Sequence, residues 1–291
     1  MVEAYCHEPV DNSTQITELL MPADWSLILA HPSPLIFAYI AVIGACIGSF
    51  LTMATYRLPR DEPVGYTRSR CPNCHTVLRV RDLIPILSWA LARGRCRHCQ
   101  TKMSSRYPLT ELACAVGGML AFMHYGITLE ALAIAGLWWC IVAIIVTDLE
   151  HYIILDEVQI AVGLFGILHA YAVGAPWSDV LVAALTGGAI GLTLKYGFIY
   201  FRNKDGLGLG DVKFLVVAGI WLASSLAFVP FLFFAGILGI VSGTLWRVAG
   251  LGERFPFGPA LAFALLLCVA VPEVAAGFWK FHTLLLGSSS G

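Results

Sequence analysis

Charge is scarce in this chain: Asp, Glu, Lys and Arg make up 13% of its 291 residues, against 58% hydrophobic residues. A soluble domain of that length needs far more polar surface, so a polytopic membrane protein is the class that remains. Lys and Arg are missing altogether from the first 33 residues, which carry Glu3, Glu8, Asp11, Glu18 and Asp24 instead. Lacking a basic n-region, the start shows no evident cleavable signal peptide, and the first apolar run, near Pro34, is expected to stay as the first span. No glycine-rich strand-turn-helix fingerprint appears, which excludes a Rossmann-type cofactor domain.

The basic residues that are present are concentrated. Eleven of the 18 lie between Arg57 and Arg106. By the positive-inside rule the N-terminus is outside and the 57–108 loop is cytoplasmic. Apolar runs predict eight spans, near 34–56, 109–126, 129–148, 154–173, 179–201, 211–227, 229–249 and 257–279. Threading them from an outside N-terminus puts Arg202, Lys204 and Arg254 in inner connections, with Lys213 and Arg247 at inner helix ends. The outer turns near 127, 175 and 228 carry no Lys or Arg, and only Lys280 dissents. The expected fold is therefore an all-α polytopic membrane protein of about eight transmembrane helices with a small cytoplasmic zinc-binding loop domain. Its parts are a periplasmic segment (1–33), a first transmembrane helix (34–56), the loop domain (57–108), a transmembrane bundle (109–286) and a terminal Gly-Ser tail (287–291).

This topology brings two acids together. Asp148 ends a span running inward, and Asp211 opens one running outward behind Gly206-Leu207-Gly208-Leu209-Gly210. An ionisable residue at the end of a spanning helix is a functional-site hypothesis. Two carboxylates at one boundary can hold one water: the ionised partner takes its proton, and the protonated partner donates to a scissile carbonyl. The glycines are expected to permit positive φ and to leave room for a substrate strand. The plainer reading is a flexible turn with Asp211 capping its helix. Asp156 is the main rival for the second place, with Glu150 and Glu157 behind it. Lys213 either snorkels at its helix end or biases the pair's charge.

Cys71-Pro72-Asn73-Cys74 and Cys96-Arg97-His98-Cys99 are paired Cys-x-x-Cys knuckles, the spacing of a closed, four-thiolate structural zinc site. A cytosolic setting disfavours disulfides there. His75 and His98 adjoin the knuckles as possible substitutes.

Beyond about residue 36, the chain resembles the bacterial prepilin peptidases of type IV pilus and type II secretion systems, aspartyl proteases marked by Gly-x-Gly-Asp. The resemblance rests on Gly48-Ser49-Phe50-Leu51, Arg70-Cys71-Pro72-Asn73-Cys74, Ser105-Arg106-Tyr107-Pro108-Leu109-Thr110-Glu111, Asp148-Leu149-Glu150-His151-Tyr152, Gly208-Leu209-Gly210-Asp211-Val212-Lys213 and Phe255-Pro256-Phe257-Gly258-Pro259. It implies an enzyme of the inner membrane that cuts a short basic leader from prepilins and pseudopilins at the cytoplasmic face, after a glycine. Its catalytic aspartates would be Asp148 and Asp211. It also implies methylation of the new N-terminus from S-adenosylmethionine, an activity associated with the part that holds the cysteine loop. Arg57 and Glu111, charges at inner helix ends, are the candidates there. The partners implied are prepilins, pseudopilins and membrane lipid, with no nucleic acid. Three positions depart from the family pattern: Glu150 stands where Asp is frequent, Ile154-Leu155-Asp156 lacks a proline, and Leu83 replaces an Asn. Two other classes compete, a proton-coupled transporter and a zinc-bearing adaptor without catalysis. The transporter predicts acids near the bilayer midplane and internal repeats; the acids here sit at one face and no repeat is evident.

Overall fold

Each expected apolar run contains a helix among the described residues. The computed structural model describes residues 33–65, 68–202, 207–252, 255–271, 273–274 and 277–278. The 1–33 segment apart from Ser33, Gly206, Lys204, Arg254, Lys280 and the 287–291 tail lie outside the described residues.

Helix α1 (Pro34–Arg57) opens with proline at its first position, where the missing N–H costs no helical hydrogen bond. A short helix α2 (Leu87–Leu91) lies in the cysteine loop. Then follow α3 (Arg106–Tyr125), α4 (Leu129–His151), α5 (Asp156–Ala172), α6 (Trp177–Arg202), α7 (Leu209–Leu222), α8 (Phe228–Val248) and α9 (Gly258–Ala270). The α4 start is capped by Thr128, whose hydroxyl accepts the Ala131 N–H at 3.1 Å. Asp156 and Glu157 occupy the first turn of α5, where negative charge complements the helix dipole. The described residues contain no β-strand, only two isolated bridges in the cysteine loop.

Helix α4 is the centre of the bundle. Leu137, Ile141 and Ile144 are fully buried on it, and it packs against α3, α5 and α9. Helix α1 lies along α3, α6 along α7, and α8 along α9. The α1–α3 contact is as close as backbones permit: a Cβ at Gly48 would sit 2.6 Å from the Glu111 Cα. Small residues allow such approach between membrane helices, where packing rather than water exclusion drives association.

Among the described residues four helices are long and apolar enough to cross a membrane: α1 with its turn to Arg60, α4, α6 and α8. Eight spans are expected; among the described residues eight helices cover those runs, and only four of them meet the criterion of length and apolarity. The reason is geometric. At 1.5 Å per residue α5, α7 and α9, of 17, 14 and 13 described residues, reach about 26, 21 and 20 Å, short of the roughly 30 Å hydrocarbon layer. Helix α7 stops at Leu222 rather than near 227 because Ala223 turns left-handed, with φ 47°. Helix α3 is 20 residues long but carries Arg106, Glu111 and His124.

Candidate functional site

Asp148 is fixed by a distant turn. In the last turn of α4 it is 5% exposed, and its Oδ2 accepts the backbone N–H of Gly258, 110 residues on, at 2.7 Å. A Cβ at Gly258 would stand 2.8 Å from that oxygen and 3.2 Å from Ile154 Cδ1, so only glycine fits this approach. Asp211 lies in the first turn of α7, and its Oδ2 accepts the Gly208 N–H at 3.1 Å. Ile154 also packs near Gly210, and Gln159 Nε2 donates to the Gly210 carbonyl at 3.2 Å. The end of α4 and the starts of α5, α7 and α9 therefore converge, and Asp148 and Asp211 stand on helix ends that meet there. Each carboxylate spends Oδ2 on a backbone N–H and leaves Oδ1 without a hydrogen bond from the described residues.

The glycines act differently from the expectation. Gly208 has φ −63°, and neither it nor Gly210 adopts positive φ. Gly208 instead supplies the N–H that orients Asp211. That contact is helix capping, the plainer reading of Asp211, and it occupies only one of the two carboxylate oxygens. The rivals have other partners or face solvent. Both Asp156 oxygens take Lys213 Nζ at 2.7 Å, at an exposed position. Glu150 is held by Arg106 at 2.8 Å, and Glu157 is exposed.

The four cysteines also meet. All their Sγ atoms lie within 4.8 Å of one another, with Cys71–Cys99 at 3.8 Å and Cys74–Cys96 at 4.0 Å. Thiolates about 2.3 Å from a tetrahedral zinc stand about 3.8 Å apart, so the cluster fits that ion. Burial raises the Cys71 thiol to about 11, whereas hydrogen bonding from Thr101 holds Cys99 down to about 5. His75 and His98 are exposed and lie outside the four-sulfur cluster.

The loop contains an internal repeat. The two knuckles are copies: Cys71 N–H donates to Thr76 and Cys96 N–H to Thr101, while His75 and Gln100 are left-handed at matching places, φ 54° and 57°. The Cys74 and Cys99 thiols reach the same two threonines at 3.3 and 3.4 Å. The signal was there as Arg-Cys-x-x-Cys-x-Thr, at Arg70–Thr76 and again at Arg95–Thr101.

Between this loop and the ends of α1 and α3 lies a cavity of about 460 Å³. Arg57, Glu111, Trp89, Tyr107 and Tyr56 line it, together with the edges of Cys71 and Cys96. Glu111 is 6% exposed; Trp89 Nε1 is buried without a hydrogen-bond partner. Arg57 donates to the Pro63 carbonyl at 3.2 Å. Leu83, the third departure, lines the cavity beside Asp82, whose carboxylate pairs with Arg97 at 3.2 Å. Arg106 joins the two regions, reaching Thr55 Oγ1 at 2.5 Å and the Thr52 carbonyl at 3.5 Å besides Glu150.

Fold and site together define a helical membrane protein with converging carboxylates, a four-cysteine cluster and a pocket at one end of its bundle. Comparison places that class more narrowly. Residues 42–125 match the Bacterial Peptidase A24 N-terminal domain, and residues 134–244 match the Type IV leader peptidase family. A protein of Stutzerimonas stutzeri named prepilin leader peptidase/N-methyltransferase is 32% identical over 260 residues, 80% of this chain and 90% of the relative. One of the same name from Aeromonas hydrophila is 32% identical over 267 residues, 82% and 92% of the two chains. A type 4 prepilin-like proteins leader peptide-processing enzyme of Escherichia coli O78:H11 is 32% identical over 241 residues, 75% and 88%. The chain belongs to the type IV leader peptidase family. No solved structure matches it significantly.

Proposed function

We propose that this protein removes the short basic leader of prepilins and pseudopilins after a glycine, through Asp148 and Asp211, and then N-methylates the new N-terminus from S-adenosylmethionine. It is a bifunctional peptidase and methyltransferase, in keeping with its family and with the names of its relatives. The observation that carries the peptidase reading is the convergence of Asp148 and Asp211 from opposite ends of α4 and α7, each oriented by a backbone N–H.

The chemistry follows from that arrangement. The ionised carboxylate takes a proton from a water held between the two free Oδ1 atoms. The protonated one donates to the scissile carbonyl oxygen and then assists departure of the amine. Protonation belongs to the pair rather than to either residue. A helical peptide bond is shielded by its own hydrogen bonds, so the cleavage segment lies extended when it is cut.

Eight crossings of the inner membrane, with the N-terminus periplasmic and both aspartates at the cytoplasmic face, fit the charge distribution: the basic 57–108 domain is inside and the 109–286 bundle holds the peptidase. Short α5, α7 and α9 then cross where the bilayer thins. Cys71, Cys74, Cys96 and Cys99 hold a structural zinc. The adjoining cavity, with Arg57 and Glu111 in its wall, suits the methyl donor and the new amine: it has the volume of a small-molecule site, aromatic faces and a donor still unpaired.

In detergent, wild type is expected to shorten a leader-bearing prepilin, while Asp148→Asn and Asp211→Asn leave it uncut with zinc content and membrane insertion unchanged. Cleavage retained by either variant rejects the assignment.

A further inference from the structure

The cavity wall holds a carboxylate for which the peptidase chemistry has no use. Glu111 is 6% exposed, inside the helix packing of α1 against α3, yet it borders an open volume of about 460 Å³. Its Oε2 accepts the Ile86 N–H at 2.6 Å, and Ser49 lies beside it. No Lys or Arg pairs with it among the described residues. A buried carboxylate without a cation is costly, and such groups are ordinarily paired. Gly48, whose absent Cβ admits the Glu111 Cα, and Ile86, a β-branched residue at φ 61°, both conform to its placement. Non-glycine residues enter that region at a cost, and such strain gathers at working sites.

Resting on the methyltransferase reading above, we infer that Glu111 is the cation anchor and proton acceptor for the amine exposed by cleavage. A new α-amino group, with an ordinary pKa near 8, is mostly an ammonium at neutral pH and has no lone pair to attack with. It is the missing cation for this pocket. Glu111 binds the ammonium and takes one proton. The freed lone pair forms an N–C bond to the sulfonium methyl, the C–S pair returns to sulfur as a neutral thioether, and the product is an N-methylammonium. Glu111 then yields its proton to solvent. Arg57, already engaged with the Pro63 carbonyl, belongs to the wall rather than to this step.

Glu111→Gln separates this role from a structural one, because the amide oxygen still accepts the Ile86 N–H while the charge is gone. Purified wild type first has to methylate a processed pilin peptide from S-adenosylmethionine; if it does not, the underlying methyltransferase reading fails rather than this one. Given that control, E111Q is expected to cleave prepilin and hold zinc as wild type does, with methylation lowered at least about 100-fold. Equilibrium binding of the free-amine peptide should weaken about tenfold or more, while its N-acetylated form binds both proteins equally. E111Q that methylates and binds the amine like wild type overturns the inference. Should E111Q fail to insert, wild type alone decides: equal affinity for the free and acetylated peptides overturns it, and a preference for the free amine supports it.

Discussion

At the scale of single residues, the site is built from contacts that one atom can break. A methyl at Gly258 would meet Asp148 Oδ2 at 2.8 Å, so Gly258→Ala has to move either the carboxylate or the turn that carries it. Misplacement by about 1 Å costs roughly 100-fold in rate. G258A is therefore expected to lose about that factor in prepilin cleavage, with methylation of an already processed peptide unaffected. Asp156 offers the opposite result. Its carboxylate is exposed and tied to Lys213, an ion pair of a kind worth about 0–1 kcal/mol. Asp156→Asn should leave cleavage within about twofold of wild type, and a dead enzyme would restore Asp156 as a catalytic candidate. Sequence alone put Asp148 and Asp211 on one boundary because spans alternate direction. It could not separate Asp156 from them, since all three sit at helix ends on the same side; only the Lys213 contact does. Nor could it assign Gly258 to Asp148, because nothing local links positions 110 residues apart.

The elements differ in how legible they were. Helices α1, α4, α6 and α8 could be read from their long apolar runs, and their ends fall close to the expected limits. The shorter α7 ends before its expected limit because hydrophobicity continues past Leu222, whereas the left-handed Ala223 decides where the helix stops. In the loop, cysteine spacing discloses the cluster and the repeated Arg-Cys-x-x-Cys-x-Thr marks the copies, while the threonine contacts themselves depend on backbone shape. These copies predict a division of labour. Cys71→Ser with Cys96→Ser is expected to abolish zinc binding by elemental analysis and to make the 68–105 loop protease-sensitive, since metal binding and folding of such loops are coupled. Methylation should fall with it, because Cys71 and Cys96 edge the cavity, while cleavage of prepilin persists. Zinc retained by the double variant would exclude these sulfurs as ligands.

Across the whole molecule, the asymmetry of charge organises the chemistry. The cysteine loop and the aspartates share one end of the bundle because Arg106, at the start of α3, grips Glu150 just beyond Asp148 and also Thr55 on α1. Reporter fusions should place position 33 in the periplasm and the 57–108 domain in the cytoplasm, as the positive-inside rule requires. The central claim is that Asp148 and Asp211, from helices far apart in the chain, act as one unit on one water. Groups that act together are not additive when removed. The most direct measurement is the cleavage rate of a leader-bearing prepilin by Asp148→Asn, Asp211→Asn and the double variant, each checked for insertion and zinc. The account predicts that both single variants already fall to the residual rate of the double. Substantial cleavage by either single variant, or a double variant slower by the product of the two single losses, would contradict it.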